Sequence, residues 1–211
     1  MRIPVGVSDR YQDYVIKDGE FVGQFELMYE RFDDPWHQNE IYGNSLTKIL
    51  VRDTCRLLLN QGFSTSVEIG CGYGNLSQDL SNLGFNAYAI DMSNTCISRA
   101  RILNPRPTYF LSDFDNIDLY QKIKPDIFIL SEISWYILPR LKSFITKLQK
   151  FFPRKILIHE LSTYADSQQE YGREYFTDLD GILEFFGLEV LSSATTWDSA
   201  SGNGTYFSAT I

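Results

Sequence analysis

Glu68-Ile69-Gly70-Cys71-Gly72-Tyr73-Gly74 is the stretch of this sequence whose spacing most constrains its chemistry. Its three glycines alternate directly after a short apolar run that reads as a buried strand, and Asn75-Leu76-Ser77 opens a helical pattern. Glycine there permits positive φ and lets a ligand approach bare main chain. In an open α/β sheet this place, beyond the carboxyl end of the first strand, is where ligands bind; the plainer reading is a tight turn that needs glycine for geometry alone. The spacing is G-x-G-x-G, with Asn75 standing where a dinucleotide fingerprint has its third glycine. No Gly-Lys-Ser/Thr follows, which excludes a phosphate loop. Asp91 ends the next apolar run. A carboxylate at that point can accept both hydrogen bonds of a ribose diol, or it can serve as an acid before the helix that begins near Asn94.

A second chemical constellation lies at Leu130-Ser131-Glu132-Ile133-Ser134-Trp135-Tyr136. Glu132 comes just beyond a buried apolar run, a costly place for a carboxylate unless it is paired; a local cap or ion pair would account for it as well as function would. Trp135 and Tyr136 either cover the core or shield a reacting centre and meet a cation through their ring faces. His159-Glu160 ends a later apolar run on the same rim. For an amine acceptor the nitrogen must lose a proton, and Glu132 or His159 could take it, although a lone histidine is more often structural.

The elements that must position these groups are legible in outline. Phe21 to about Gln61 reads as helical, interrupted at Asp33-Asp34-Pro35-Trp36 by the proline. After Gly62, short β-branched runs alternate with amphipathic segments, the pattern of βαβ units. Strands are expected at 66–70, 87–91, 108–111, 126–132 and 155–161, with helices at 75–83, 94–103, 140–151 and 178–186. Two last strands, 188–197 and 205–211, are joined by a loop without helical content and should pair antiparallel. The expected architecture is a Rossmann-like α/β fold: a seven-stranded, mostly parallel sheet with a terminal antiparallel strand, residues 63–211, preceded by an N-terminal helical extension or lid, residues 1–62.

Composition sets outer limits. A chain of 211 residues that is 44% hydrophobic can bury a core without staples. Its formal charge of −8 argues against nucleic acid or an anionic membrane as main partner. Cys55, Cys71 and Cys96 show neither metal-ligand nor disulfide spacing. The start of the chain lacks a signal-peptide run, and no apolar stretch approaches the roughly 18 residues of a membrane span. A cytoplasmic location and a small-molecule substrate are expected, with no metal; a homodimer contact stays open.

The pattern E-x-G-x-G-x-G resembles the first motif of class I S-adenosylmethionine-dependent methyltransferases. That resemblance implies S-adenosylmethionine as cofactor, held by Glu68, Gly70, Cys71, Gly72 and Gly74, with Glu68 accepting from the methionine ammonium directly or through water. It further implies Asp91 on the ribose, Met92 against the adenine, Asp113 on the adenine amino group, Phe114 on its ring face, and Ser131 near the cofactor. At finer grain, Asp34-Pro35-Trp36-His37 together with the Gly70 and Glu132 segments is similar to the nodulation protein S family, N-methyltransferases of a deacetylated chitooligosaccharide. This implies an N-terminal segment folded over the cofactor with Trp36 near the site. The likeness stops after Glu160, so the polar, tyrosine-spaced segment 162–175 reads equally as a substrate lid, an interface or a solvated connection.

The expected function is methyl transfer by in-line displacement to nitrogen or oxygen of a small polar acceptor, amino-sugar-like if the finer resemblance holds, with Glu132, Tyr136 and His159 on the acceptor side. A nicotinamide-dependent oxidoreductase and a non-catalytic cofactor-binding subunit are the alternatives.

Overall fold

The structure, a computed structural model, describes residues 8–38, 45–163, 171–198 and 202–211. After a 3-10 turn at Tyr11–Tyr14 come a small hairpin, β1 (Ile16–Lys17) and β2 (Glu20–Phe21), and α1 (Phe25–Arg31). The remaining elements follow as α2 (Leu46–Asn60), β3 (Thr65–Ile69), α3 (Asn75–Leu83), β4 (Asn86–Asp91), α4 (Asn94–Leu103), β5 (Thr108–Leu111), α5 (Ile117–Ile123), β6 (Ile127–Ser131), α6 (Ser134–Phe151), β7 (Ile156–Thr163), α7 (Leu179–Phe186), β8 (Glu189–Asp198) and β9 (Gly202–Thr210).

Seven strands form one sheet in the order β5-β4-β3-β6-β7-β9-β8. All neighbouring pairs from β5 to β7 are parallel, while β9 runs against both β7 and β8. The reversed strand therefore sits inside the order, between β7 and the edge strand β8. The order switches direction between β3 and β6, and this places the ends of those two strands side by side, with Ile69 opposite Leu130. Such a switch point opens a crevice for ligands.

Alternation along each strand divides the core. Val67, Ile69, Phe128, Leu130, Leu157 and Leu161 face α6 and α7. Ile127, Ile129, Ile156 and Ile158 face the opposite side, where α2 lays Val51, Cys55 and Leu58, spaced at i, i+4 and i+7, onto the sheet. The helix following Gly62 in sequence and the helix preceding it thus pack in the same layer. Helix starts are fixed by side-chain caps: Ser93 Oγ accepts the Cys96 N–H at 3.0 Å, and Asn116 Oδ1 accepts that of Leu119 at 3.1 Å.

The structure revises three elements. The N-terminal region is helical on both sides of the expected break at Asp33–Trp36, with α1 ending at Arg31 and α2 running from Leu46, but a hairpin not read from the sequence precedes α1. Helix α6 begins at Ser134 rather than Arg140 and carries Pro139 within its first turns, where proline is tolerated because few preceding residues are helical. Helix α5 has too few apolar repeats in seven residues to register as a period. The end hairpin pairs antiparallel as expected; residues 199–201 of its loop lie outside the described residues, as does 164–170 of the tyrosine-spaced segment.

Candidate cofactor and acceptor site

The glycine bend follows directly from β3. Gly70 and Gly72 have φ of +71° and +53°, a left-handed region that only glycine enters freely. A Cβ at Gly70 would collide with the Ile133 side chain, and one at Gly72 with the Gln38 amide. The first reason for glycine here is therefore close packing of the chain's own side chains, not ligand approach as the sequence suggested. The other side of the same main chain is open: Gly70 and Gly72 line a cavity of about 1080 Å³.

Asp91, at the end of β4, stands beside the bend. One carboxylate oxygen accepts the Gly72 N–H at 3.2 Å and the other the Ser93 N–H at 3.0 Å. Burial raises its pKa to about 6 against the pull of these amides. The neighbouring α4 is tied to the N-terminal segment by Glu26, which accepts from Ser93 Oγ at 2.6 Å and Thr95 Oγ1 at 2.7 Å. Met92 is exposed on the cavity rim, and Asp113 and Phe114 line the wall nearby. Both are already engaged: Arg140 makes two hydrogen bonds to the Asp113 carboxylate, at 2.9 and 3.0 Å, and lies 4.4 Å over the Phe114 ring. Partial burial works against ionisation of Asp113, but the Arg140 bonds and the Asp115 amide hold its pKa below the ordinary value.

On the β6 side, Ser131 and Glu132 line the cavity. Glu132 has φ of +57°, a costly conformation for a residue with a side chain. The strain is fixed by Ser162, whose N–H donates to the two carboxylate oxygens at 2.9 and 3.0 Å and whose Oγ donates at 2.6 Å. Trp135 in turn anchors Ser162, its indole N–H reaching the Ser162 carbonyl at 3.0 Å. Tyr136 and Trp36 meet over the cavity with ring centroids 5.6 Å apart, and Phe25 stands 5.4 Å from Tyr136. Phe21 and Tyr171 stack at 6.2 Å farther out on the same wall.

Four of the expected site residues are not on the cavity wall. Glu68 lies beneath the bend, 5% exposed, where its carboxylate accepts the Ser77 N–H at 3.0 Å and so fixes the start of α3. Burial lifts its pKa to about 7, with Ser77 and Lys48 opposing. A direct bond from Glu68 to a ligand ammonium is thus not provided for. Cys71 is buried against Ala89 and Ile97, and a Cβ on Gly74 would strike the Tyr109 hydroxyl; both serve packing. His159 is the clearest correction. Alternation in β7 turns it away from the cavity into a cage of Phe186 and Phe207, with ring centroids at 4.8 and 4.9 Å. It is fully buried, Nε2 meets Ser134 Oγ at 2.8 Å, and burial lowers its pKa to about 3, so it is a neutral structural residue.

Several wall residues were not anticipated: Gln38, whose Oε1 accepts the Tyr73 N–H at 2.9 Å, Lys48, Ile133, Arg140 and Ser162. Lys48 could have been noticed as a cation on the buried side of α2, and Glu160 by the rule that singled out Glu132, a carboxylate closing an apolar strand.

The residues present fit S-adenosylmethionine. Open main chain at Gly70 and Gly72, a carboxylate at the end of the next strand, and Met92, Asp113 and Phe114 all line one cavity, offering partners for an amino-acid tail, a ribose and a base.

Comparisons with known proteins agree. A family model described as a methyltransferase domain matches residues 67–151. No curated protein matches the chain by sequence. Among solved structures, the N-methyltransferase NodS from Bradyrhizobium japonicum WM9, in complex with S-adenosyl-L-homocysteine, superposes with a TM-score of 0.63 at 17% identity, over 88% of this chain and 97% of that one. The 1,6-didemethyltoxoflavin-N1-methyltransferase of Burkholderia thailandensis, with S-adenosylhomocysteine bound, gives 0.61 at 9% identity over 99% and 93%. The magnesium protoporphyrin IX methyltransferase of Synechocystis PCC 6803 with S-adenosylhomocysteine gives 0.58 at 16% over 96% and 92%. At these identities the structures speak for the fold, and the family model for a methyltransferase domain rather than a nicotinamide-binding one. Residues 67–151 match a methyltransferase domain, and together with the fold of the whole chain this match indicates an S-adenosylmethionine-dependent methyltransferase.

Proposed function

We propose that the chain methylates a nitrogen or oxygen of a small polar acceptor that enters the cavity beside Glu132. One observation carries this reading: a carboxylate held in a strained backbone conformation on the same wall as Gly70, Gly72 and Asp91. S-adenosylmethionine supplies an electrophilic methyl carbon that a lone pair attacks in line with the carbon–sulfur bond.

The chain's own work is placement and proton management. The amides and open main chain of Gly70 and Gly72 receive the methionine tail. Asp91 accepts from the ribose hydroxyls, for which its raised pKa matters little once two donors converge on it. Met92 and Phe114 flank the base, and Asp113, steadied by Arg140, accepts from the adenine amino group. Trp36 and Tyr136 exclude water and turn ring faces toward positive charge. Glu132 orients the acceptor and takes its proton at a carboxylate oxygen. The segment before residue 62 acts as a lid, its hairpin and α1 roofing the cavity. An acidic chain of net charge −8 suits a small molecule better than nucleic acid, and three free thiols suit a reducing cytoplasm.

NodS is an N-methyltransferase, and the nodulation protein S resemblance implies an amino-sugar acceptor, so amino sugars are the first class to try. Formation of S-adenosylhomocysteine over a panel of amino sugars, simple amines, polyols and phenols tests the reading. Turnover of at least one nitrogen or oxygen acceptor, lost in Glu132→Gln, is expected; transfer confined to carbon or sulfur acceptors would refute it.

A further inference from the structure

Six of the aromatic side chains on the cavity wall touch one another in a continuous arc. They come from separate parts of the chain: Tyr11 from the 3-10 turn, Phe21 from β2, Phe25 from α1, Trp36 from the turn after it, Tyr136 from α6 and Tyr171 from the stretch ahead of α7. Tyr11 meets Trp36 with ring centroids 5.1 Å apart, Trp36 meets Tyr136 at 5.6 Å, and Tyr136 meets Phe25 at 5.4 Å. Phe25 then meets Phe21 at 6.3 Å, and Phe21 meets Tyr171 at 6.2 Å. The arc thus passes from Tyr136, just beyond Glu132 in the chain, out to the Phe21–Tyr171 pair.

Core packing does not account for these rings. Phe128, Phe144 and Phe207 of the core are fully buried, whereas every member of the arc keeps part of its surface exposed, Phe21 as much as 42%. Only Phe21 and Tyr171 lie nearly parallel, at 23°; the other contacts are tilted or edge-to-face, so they hold the rings without stacking them on one another. Exposed apolar rings gathered on a concave wall mark a ligand groove. The groove is continuous with Gly70, Gly72 and Asp91, and none of the six rings is among the partners offered to the tail, the ribose and the base. Its volume of about 1080 Å³ exceeds the roughly 300–1,000 Å³ of an ordinary single-ligand pocket, which leaves room for a second molecule beside the cofactor.

We propose that the acceptor carries a flat aromatic ring, which this arc holds while the nitrogen or oxygen to be methylated reaches Glu132. The proposal rests on the methyl-transfer reading above and narrows its acceptor to aryl-bearing amines and phenols. A sugar ring can stack on one such side chain, but its rim of hydroxyls needs hydrogen-bonding groups around it once water is excluded. The hairpin beside Phe21 brings Ile16, its partner across the two strands, and Val22 to the wall. Its polar wall residues, Lys17 and Asp18, belong to the turn end, where Asp18 takes φ of +51°. An aromatic guest is satisfied by ring faces and edges alone, each ring pair adding about two- to tenfold in affinity beyond its buried area. Phe21 and Tyr171 are the members of the arc farthest from the reacting atoms, so they select the acceptor and take no part in proton transfer.

Calorimetric titration of the full chain loaded with S-adenosylhomocysteine tests this, with tyramine, tryptamine, glucosamine and ethanolamine as probes. All four carry an amine, and only the first two carry an aromatic ring. Tyramine or tryptamine should bind at least about tenfold tighter than either of the others, the gain of two or more ring contacts. Phe21→Ala and Tyr171→Ala should each weaken that ligand about two- to tenfold and leave S-adenosylhomocysteine affinity within about twofold. Glucosamine or ethanolamine binding as tightly as the aryl amines, no binding of either aryl amine, or a ring preference undiminished in both variants overturns the proposal. If Tyr171→Ala does not fold, Phe21→Ala, at an exposed position on the hairpin, decides by the same criteria. Methyl-transfer assays separate the two levels. Transfer to glucosamine or ethanolamine but to neither aryl amine keeps the methyl-transfer reading and removes the ring site, whereas absence of transfer to every nitrogen and oxygen acceptor removes both.

Discussion

The two ends of the cavity are built differently. At the cofactor end, the bend and Asp91 come from two consecutive strands and lie within about twenty residues of each other, and Asp91 bonds directly to the Gly72 amide. At the acceptor end, Glu132, Ser162, Glu160 and Lys48 arrive from β6, β7 and α2, and each is fixed by a partner far away in sequence. The first end is a motif; the second is an assembly that exists only once the sheet has formed. Such a division suits an enzyme class that keeps one cofactor while acceptors change.

The largest effect expected from breaking this contrast is at Glu132. Glu132→Gln should lower turnover by about two to three orders of magnitude at neutral pH while leaving S-adenosylhomocysteine affinity within about twofold; steady-state kinetics beside calorimetry checks it. At the cofactor end, Gly72→Ala forces a side chain into a left-handed conformation and onto Gln38. A destabilisation of about 1–3 kcal/mol, read by urea unfolding, should follow together with weaker cofactor binding.

How much of this was legible follows from the same contrast. The glycine bend and Asp91 announced themselves because backbone conformation and a terminal carboxylate are local demands that leave a local pattern. Most strands were placed within a residue or two, since buried parallel strands read as apolar runs. Lys48 and Ser162 could not be assigned, because their roles depend on which strands become neighbours. His159 was misassigned through parity: its place at the rim was right, but alternation sends its ring into the Phe186–Phe207 cage and sends Glu160 toward Lys48. Glu68 is off the cavity wall, bonded to Ser77 under the bend.

Smaller effects sharpen the picture. His159→Phe should leave kcat/KM within about threefold and change stability by no more than about 1–2 kcal/mol, as an aromatic ring replaces a neutral ring in an aromatic cage. A loss of activity beyond tenfold in a folded variant would restore His159 to the reaction. Stability should also depend weakly on pH. Glu68 and Glu160 have pKa values raised by burial, so between pH 6.5 and 8.5 the folded chain holds protons that unfolded carboxyls have already lost. Stability is then present at the lower pH and falls as pH rises, on the order of 2 kcal/mol over that interval. His159, depressed to about 3, acts with the opposite sign but only below about pH 6.5. Denaturant melts at both pH values should show the decline, and Glu160→Gln should flatten it.

Calorimetric titration of the wild-type chain and of Asp91→Ala with S-adenosylhomocysteine tests the cofactor end most directly. Saturable one-to-one binding by the wild type, weakened about a hundredfold in the folded variant through loss of a charged hydrogen-bond acceptor, is the expected result. Equal affinity in the two proteins would contradict the placement of the ribose on Asp91, and no heat from the wild type would remove the cofactor from this cavity.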